Sequence, residues 1–446
     1  MGSILIENGA VITLTGSVLN PGSVLVEGKR IGGIFGPEDA PSHLKAQKVI
    51  DASNKVVMPG LICAHHHLYS TMARGMSIPG RPAANFLEIL ERLWWRLDYG
   101  LNEEDVYLSA LVATVECIKK GTTTIVDHHA SPSCRDGSLD ILRRAVEEAG
   151  MRACLCYEVS DRNLTGGGLD ENRRFLESLK KRPSELVAGM VGLHASFTLG
   201  DETISRCVEV AQEYGVGCHI HVAEDKADRD DSIKQYGVPV VERLCRLGLA
   251  GKTSLLVHCI WIDEKEMDLI KETDALVVHN PESNMNNAVG VAKALAMMKK
   301  GILVGLGTDG MSSDMLSQMR CAYLLHRQDN RDPRVAFVEA PKMLLENNHE
   351  IVRRVMGMDL GTLAKGKLAD LIIVDYDPPT PINEHNLSGH LIFGVAGAAV
   401  DTTICNGQIL MENQQVRTFN VHDIMVRSRE QAARLWNRLE RHSRNQ

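Results

Sequence analysis

Eight short apolar, β-branched runs recur along the middle of this chain, each followed by a loop and then by a helix-like stretch of mixed apolar and charged residues. The runs end near His65 and His67, Asp127, Glu158, His194, His221, His258, His279 and Asp309. Strands that alternate with helices pair in parallel through right-handed crossovers. Eight such units predict an α/β fold closed into a (β/α)8 TIM-like barrel. An open doubly wound sheet is the alternative, disfavoured because no Gly-x-Gly-x-x-Gly follows the first strand. Helices are predicted from Glu104 to Lys120, closed by a basic turn and Gly121, and from Ser138 to Gly150, opening on a serine cap and ending on glycine.

The flanks follow a different pattern. Short β-like runs separated by Gly, Asn and Pro turns fill residues 3 to 57 and resume from 366 to 418. Together they predict a small β-sandwich domain built from both chain ends, residues 1–58 and 366–420. The metal-binding barrel then occupies 59–365, and a charged C-terminal helix packed on the surface occupies 421–446.

Composition excludes several classes of function. A formal net charge of −8 gives no attraction toward a phosphate backbone, so a nucleic acid polymer is not an expected partner. No segment reaches the ~18 apolar residues that would span a membrane, and the N-terminus lacks a basic region followed by a long apolar run. The 11 cysteines are scattered without a Cys-x-x-Cys, as expected of reduced thiols used for packing in a cytoplasmic protein.

The chemistry clusters at the predicted strand ends, which in a barrel open onto one face. Period-two alternation puts His65 and His67 on one side of the first strand end and turns His66 away. In the run from Gly217 to Glu224, His219 and His221 share a face, but only His221 lies at the outer end, with Glu224 in the loop beyond. The run Ile302 to Gly310 ends an otherwise apolar strand on Asp309, an acid that needs a cation or a donor nearby. Three imidazoles and one carboxylate leave room for a bound water, as hydrolytic zinc sites require.

Several motifs carry a resemblance over nearly the whole chain. They are Met58-Pro59-Gly60-Leu61 with His65-x-His67, His221-Val222-Ala223-Glu224, Leu256-Val257-His258-Cys259, His279-Asn280-Pro281-Glu282-Ser283-Asn284, Leu306-Gly307-Thr308-Asp309-Gly310 and Gly366-Lys367-Leu368-Ala369-Asp370-Leu371. The chain resembles the amidohydrolase superfamily in its cytosine-deaminase-like and chlorohydrolase-like branch. Leu93 to Asp98, Asp127 to Pro132 and Ser283 to Asn287 make it most similar there to the SsnA aminohydrolase group.

That resemblance implies that His65, His67, His221 and Asp309 hold one divalent metal, Zn2+ or, in some members, Fe2+. It implies that Asp309 takes a proton from water, that Glu224 protonates a substrate ring nitrogen, and that His258 orients the attacking oxygen. Binuclear relatives carry a bridging lysine at the end of strand four. The run Val187 to His194 has none, which points to one metal. His194 resembles a substrate-contacting histidine; the alternative is a histidine merely hydrogen-bonded at the barrel rim.

Other substrate contacts are more open. One of His128 and His129 is expected to face the pocket, and His129 is assigned that place; either also fits a purely structural position. Trp94 and Trp95 share a predicted helix with Phe86, Leu90, Leu93 and Leu97, so one is expected to pack and the other, Trp94, to line the pocket. Arg74 and Arg162 are expected to be solvated loop arginines, with contact to an anionic substrate group as the alternative. Loops 70–84 and 161–170 are where specificity is expected to reside.

The function expected is hydrolysis of a non-peptide C–N bond, most simply deamination of a small purine-like or related nitrogen heterocycle by a homo-oligomeric enzyme. Ring opening of a cyclic amide or removal of chloride are the neighbouring alternatives, and a non-catalytic metal-binding scaffold is the alternative of another class.

Overall fold

The computed structural model describes residues 2–39, 46–78, 80–162 and 168–444. Its centre is a parallel barrel whose strands we number β1 to β8: Leu61–His66, Thr122–Asp127, Arg152–Leu155 continued by Glu158–Val159, Val187–Gly189 continued by Val191–Ala195, Cys218–Val222, Leu255–His258, Leu276–His279 and Val304–Leu306. Each strand pairs in parallel with the next. A parallel bridge between His66 and Asp309 joins β8 back to β1. Breaks at Cys156–Tyr157 and at Met190 split β3 and β4, so their lower halves pair separately from their upper halves. β8 passes so close to β1 that a Cβ on Gly307 would sit 2.8 Å from both Cβ and the carbonyl oxygen of His65. Only glycine fits there.

The helix after β1 runs Glu103–Lys119 and carries a capping box between Asn102 and Asp105. The next, Ser138–Ala149, ends on left-handed Gly150 as expected, but Ser138 is not its cap. Gly137 occupies that position, and the buried carboxylate of Glu171 accepts from the backbone N–H groups of Gly137 and Leu139. A neighbouring helix therefore supplies the acceptor expected from the serine.

Both chain ends build one small β domain, as expected. The strands form a single nine-stranded sheet, and its N- and C-terminal parts are joined where Val56–Pro59 pairs antiparallel with Leu371–Val374. Ile4, Val24, Ile31, Leu371, Ile373 and Ile404 belong to its core, separate from that of the barrel. A buried ion pair ties the two units together: Arg152, at the start of β3, donates to both oxygens of Asp370 at 2.8 and 3.0 Å, with both side chains almost fully buried. The helix Val421–Arg444 packs against Glu103–Lys119, where Gln431 and Arg438 reach Asp105.

Candidate metal centre and comparisons with known proteins

The carboxyl ends of β1, β5 and β8 bring His65, His67, His221 and Asp309 together. One ligand atom from each lies within 4.8 Å of all the others. His67 Nε2 is 3.0 Å from Asp309 Oδ1, His65 Nε2 is 3.7 Å from the same oxygen, and the Nε2 atoms of His67 and His221 are 3.4 Å apart. Strand ends bend sharply here: Ala223, His258, Cys259 and Asp309 all adopt positive φ. Such backbone is costly for residues with a side chain and is concentrated at functional sites.

The imidazoles are oriented from behind. His67 Nδ1 lies 2.6 Å from the carbonyl of His128, and His221 Nδ1 lies 2.8 Å from the carbonyl of His194. A carbonyl can only accept, so both Nδ1 atoms carry hydrogen and both Nε2 atoms are left to face the cluster. Second-sphere hydrogen bonds of this kind orient metal-binding histidines. His65 Nε2 is buried without a hydrogen-bond partner. An orphaned acceptor beside two more ring nitrogens and a carboxylate fits a divalent cation, and the nitrogen and oxygen donor set suits zinc.

Glu224 and His258 complete a second group around Asp309. His258 Nε2 lies 3.4 Å from Glu224 Oε2 and 3.7 Å from Asp309 Oδ2, while its Nδ1 is bonded to Asn284 Oδ1 at 2.7 Å. Ser283 Oγ donates to Asp309 Oδ2 at 2.6 Å, and the Gly310 amide donates to Oδ1 at 2.8 Å. Asn287 Nδ2 donates to Glu224 Oε1 at 3.2 Å. Burial pushes the Glu224 carboxyl up to about 7.

A cavity opens above these groups. His194, Trp94, Trp95, Phe197, Asp98 and Glu158 line it together with Glu224 and Asp309. Both tryptophans face it, contrary to the expectation that one would pack in the core. The cause is a π-helical turn at Leu90–Trp94, which changes the helical phase before Trp95. His129 is not on the cavity wall. Its ring is fully buried beneath Tyr69, with Nε2 2.8 Å from Ser131 Oγ, and the neighbouring Tyr69 takes the wall position. His128 is also buried, its Nε2 donating to the Leu193 carbonyl. His66 turns away toward Ser313, as expected.

Arg162 is not solvated. Its Nη2 donates to Glu158 Oε1 at 2.6 Å, and its guanidinium lies over the Trp95 ring. Asp98 and Asn287 escaped the sequence reading because one sits on a helix and the other in a turn, away from strand ends. Residues 79 and 163–167 of the expected specificity loops lie outside the described residues.

The model of the amidohydrolase family matches residues 56–410. The chain belongs to that family. This amidohydrolase is 33% identical over 451 residues to a 5-methylthioadenosine/S-adenosylhomocysteine deaminase of Syntrophomonas wolfei, a match covering 97% of this chain and 99% of the relative. It is 32% identical over 444 residues to a 5′-deoxyadenosine deaminase of Methanosarcina acetivorans, covering 98% and 99%. Among solved structures it resembles a zinc-bound adenosine deaminase of Xanthomonas campestris, with TM-score 0.86 and 23% identity over 97% of this chain and 98% of that one. It likewise resembles the zinc-bound atrazine chlorohydrolase TrzN of Arthrobacter aurescens, with TM-score 0.81 and 23% identity over 97% and 100%. At that identity the structural likenesses establish the barrel fold.

Proposed function

We propose that this amidohydrolase is a zinc-dependent deaminase of an adenine nucleoside whose 5′ position carries no phosphate. The observation that carries the reading is one cavity lined both by the metal group and by a second acidic group. Glu224 and Asp309 line it at the metal group, with His258 against both, while Asp98 and Glu158, sharing the cation of Arg162, form the second acidic group on its wall. The names of the relatives support an adenine nucleoside over ring-opening or dechlorination.

His65, His67, His221 and Asp309 would hold the metal, and the zinc-bound structural neighbours support zinc. A bound divalent cation supplies Lewis acidity that brings the pKa of water toward ~7. The chain's own groups then divide the proton work. Asp309, fixed by Ser283 and the Gly310 amide, takes the proton of the attacking water. His258, its Nδ1–H committed to Asn284, turns Nε2 toward the same water and orients it. Glu224, protonated near neutrality because it is buried, delivers its proton to the ring nitrogen beside the attacked carbon. Charge therefore does not build on the ring as the tetrahedral centre forms. Asp309 would then pass the proton it took to the amino group, the C–N bond breaks and ammonia leaves, while the remaining hydroxyl proton returns to Glu224 and leaves a ring carbonyl. Trp94 and Trp95 offer aromatic faces to the base, and His194 offers Nε2 while its Nδ1 is bonded to Thr198.

This second acidic group sets the polarity of the substrate tail. Burial raises the Asp98 carboxyl to about 7; Glu158 and Asp98 together leave Arg162 no charge to spare for a phosphate and offer oxygens that accept from hydroxyl groups. Zinc-loaded protein assayed for ammonia release against adenine, adenosine, 5′-deoxyadenosine and AMP tests this. Turnover of the two uncharged nucleosides with little of AMP is expected; preferential turnover of AMP would refute the assignment.

Two further points belong to the proposal. Exposed Leu324, Val338 and Phe393 lie on neighbouring segments and support a homo-oligomer. All 11 cysteines are free thiols, which supports a cytoplasmic location; no helix among the described residues is long and apolar enough to cross a membrane.

A further inference from the structure

Of the three histidines at the metal centre, only His65 is oriented by a side chain. His67 and His221 lean on backbone carbonyls that no substitution can remove. His65 Nδ1 instead lies 2.8 Å from Nε2 of His219, one layer deeper in the barrel on the same face of β5 as His221. His219 Nδ1 lies 3.6 Å from Cys156 Sγ, and the Cys156 thiol reaches the backbone carbonyl of Asp127 at 3.3 Å. His65, His219 and Cys156 are all buried.

The direction of this chain follows from its last member. The Asp127 carbonyl can only accept, so the Cys156 S–H points to it. Cys156 sulfur is then the acceptor for His219 Nδ1–H. His219 Nε2, left with a lone pair, accepts from His65 Nδ1–H, and His65 Nε2 is left with a lone pair facing Asp309. With a metal on His65 Nε2, only this sense gives every donor an acceptor. Reversing it would leave the Asp127 carbonyl without the thiol donor and place a hydrogen on His65 Nε2, the atom that must bind metal. The fold also leaves space for the sulfur, since a Cβ on Gly192 in β4 would come within 2.9 Å of Cys156 Sγ.

We propose that His219, backed by Cys156, is a positioning residue that fixes the His65 ring in its metal-binding tautomer. Cys156 thus does more than the packing expected of a buried thiol. The proposal rests on the metal-site reading above, and the test keeps the two apart by measuring zinc affinity with a competing chelator, first on the parent chain and then on variants. His219→Leu fills the space but cannot accept. His219→Gln can accept from His65 through Oε1 and donate to Cys156 through Nε2.

A loss of about 10- to 100-fold in zinc affinity is expected for His219→Leu, the range for removing a second-sphere partner. The metal-free melting temperatures should stay close, and His219→Gln should recover most of the affinity. Cys156→Ala, which keeps the ring but removes its acceptor, should lose affinity by a smaller factor and stands in if His219→Leu does not fold. Parent-level affinity in His219→Leu, or in Cys156→Ala where that variant stands in, overturns the proposal. So does a His219→Gln variant as weak as His219→Leu. A parent chain that binds no zinc overturns the metal-site reading itself.

Discussion

The Nε2 atoms of His67 and His221 stand 3.4 Å apart on nearly parallel rings, each ring tied through Nδ1 to a backbone carbonyl. Two lone pairs held face to face repel unless something positive lies between or beside them. Asp309, 3.0 Å from His67, adds the negative charge that a divalent cation would balance.

Chelator treatment is therefore expected to abolish turnover and lower the melting temperature, since any ligand bound only by the folded state stabilises it by mass action. Elemental analysis should find approximately one zinc per chain in the parent, and His67→Ala and His221→Ala should each lose most of it. Full zinc content in both variants would mean that the cation sits elsewhere.

Glu224→Gln should keep its zinc and lose about 10²- to 10⁴-fold in kcat, the range for removing a general acid or base. Metal analysis alongside kinetics is the check. Loss of zinc in this variant would make Glu224 a ligand rather than a proton donor.

Asn287 holds Glu224 by its Oε1, and Asn286 in turn donates to the Asn287 carbonyl oxygen at 3.0 Å, which turns the Asn287 amino group toward the acid. Asn287→Leu should cost roughly tenfold in kcat/KM, the equivalent of one hydrogen bond of about 1–1.5 kcal/mol, with zinc content unchanged. A pH–rate profile should show the limb assigned to Glu224 displaced.

Glu158 offers a pH signature. Burial alone would raise its carboxyl, but the charges of His194, Arg162 and His128 around it bring it down to about 2. A depressed acid adds stability that is present above its unfolded value near ~4.3 and is lost as pH falls toward 2. Arg162→Met removes the permanent cation, and His194 and His128, brought down to about 4 and about 3 by burial, are neutral from pH 5 to 8; burial then dominates, so the folded pKa rises above the unfolded one and the sign reverses. The variant should be destabilised by about 3–5 kcal/mol at pH 8 and by less at pH 5, where Glu158 can take a proton. Melting curves at both values test this; an equal deficit at the two would contradict it.

Arg152→Met is expected to destabilise the fold by a similar 3–5 kcal/mol, because it strands the buried Asp370 carboxylate between barrel and small sheet. Chemical denaturation of the metal-free protein reads this without interference from zinc.

Much of this was legible in the sequence because the chemistry interrupts apolar runs. His65, His67, His221, His258 and Asp309 stand out at the ends of strands that are otherwise Val, Ile and Leu, and period-two alternation separates His66 from its neighbours. Features set by contacts between distant segments were not legible. His129 and Tyr69 exchange the expected wall position through ring packing, and the π-turn before Trp95 has no marker in a 3.6-residue pattern. Asp98 meets Arg162 across 64 residues, so neither declares the other. The join between Val56–Pro59 and Leu371–Val374, which unites the two chain ends in one sheet, is likewise a long-range pairing that local alternation does not specify.

The most direct test of the central claim is to incubate zinc-loaded protein with 5′-deoxyadenosine in isotopically heavy water and follow ammonia and product mass together. One ammonia released per nucleoside consumed, with one heavy oxygen from solvent on the purine ring, is the result expected. An intact nucleoside with one zinc bound per chain, or a product whose ring has been opened, would contradict it.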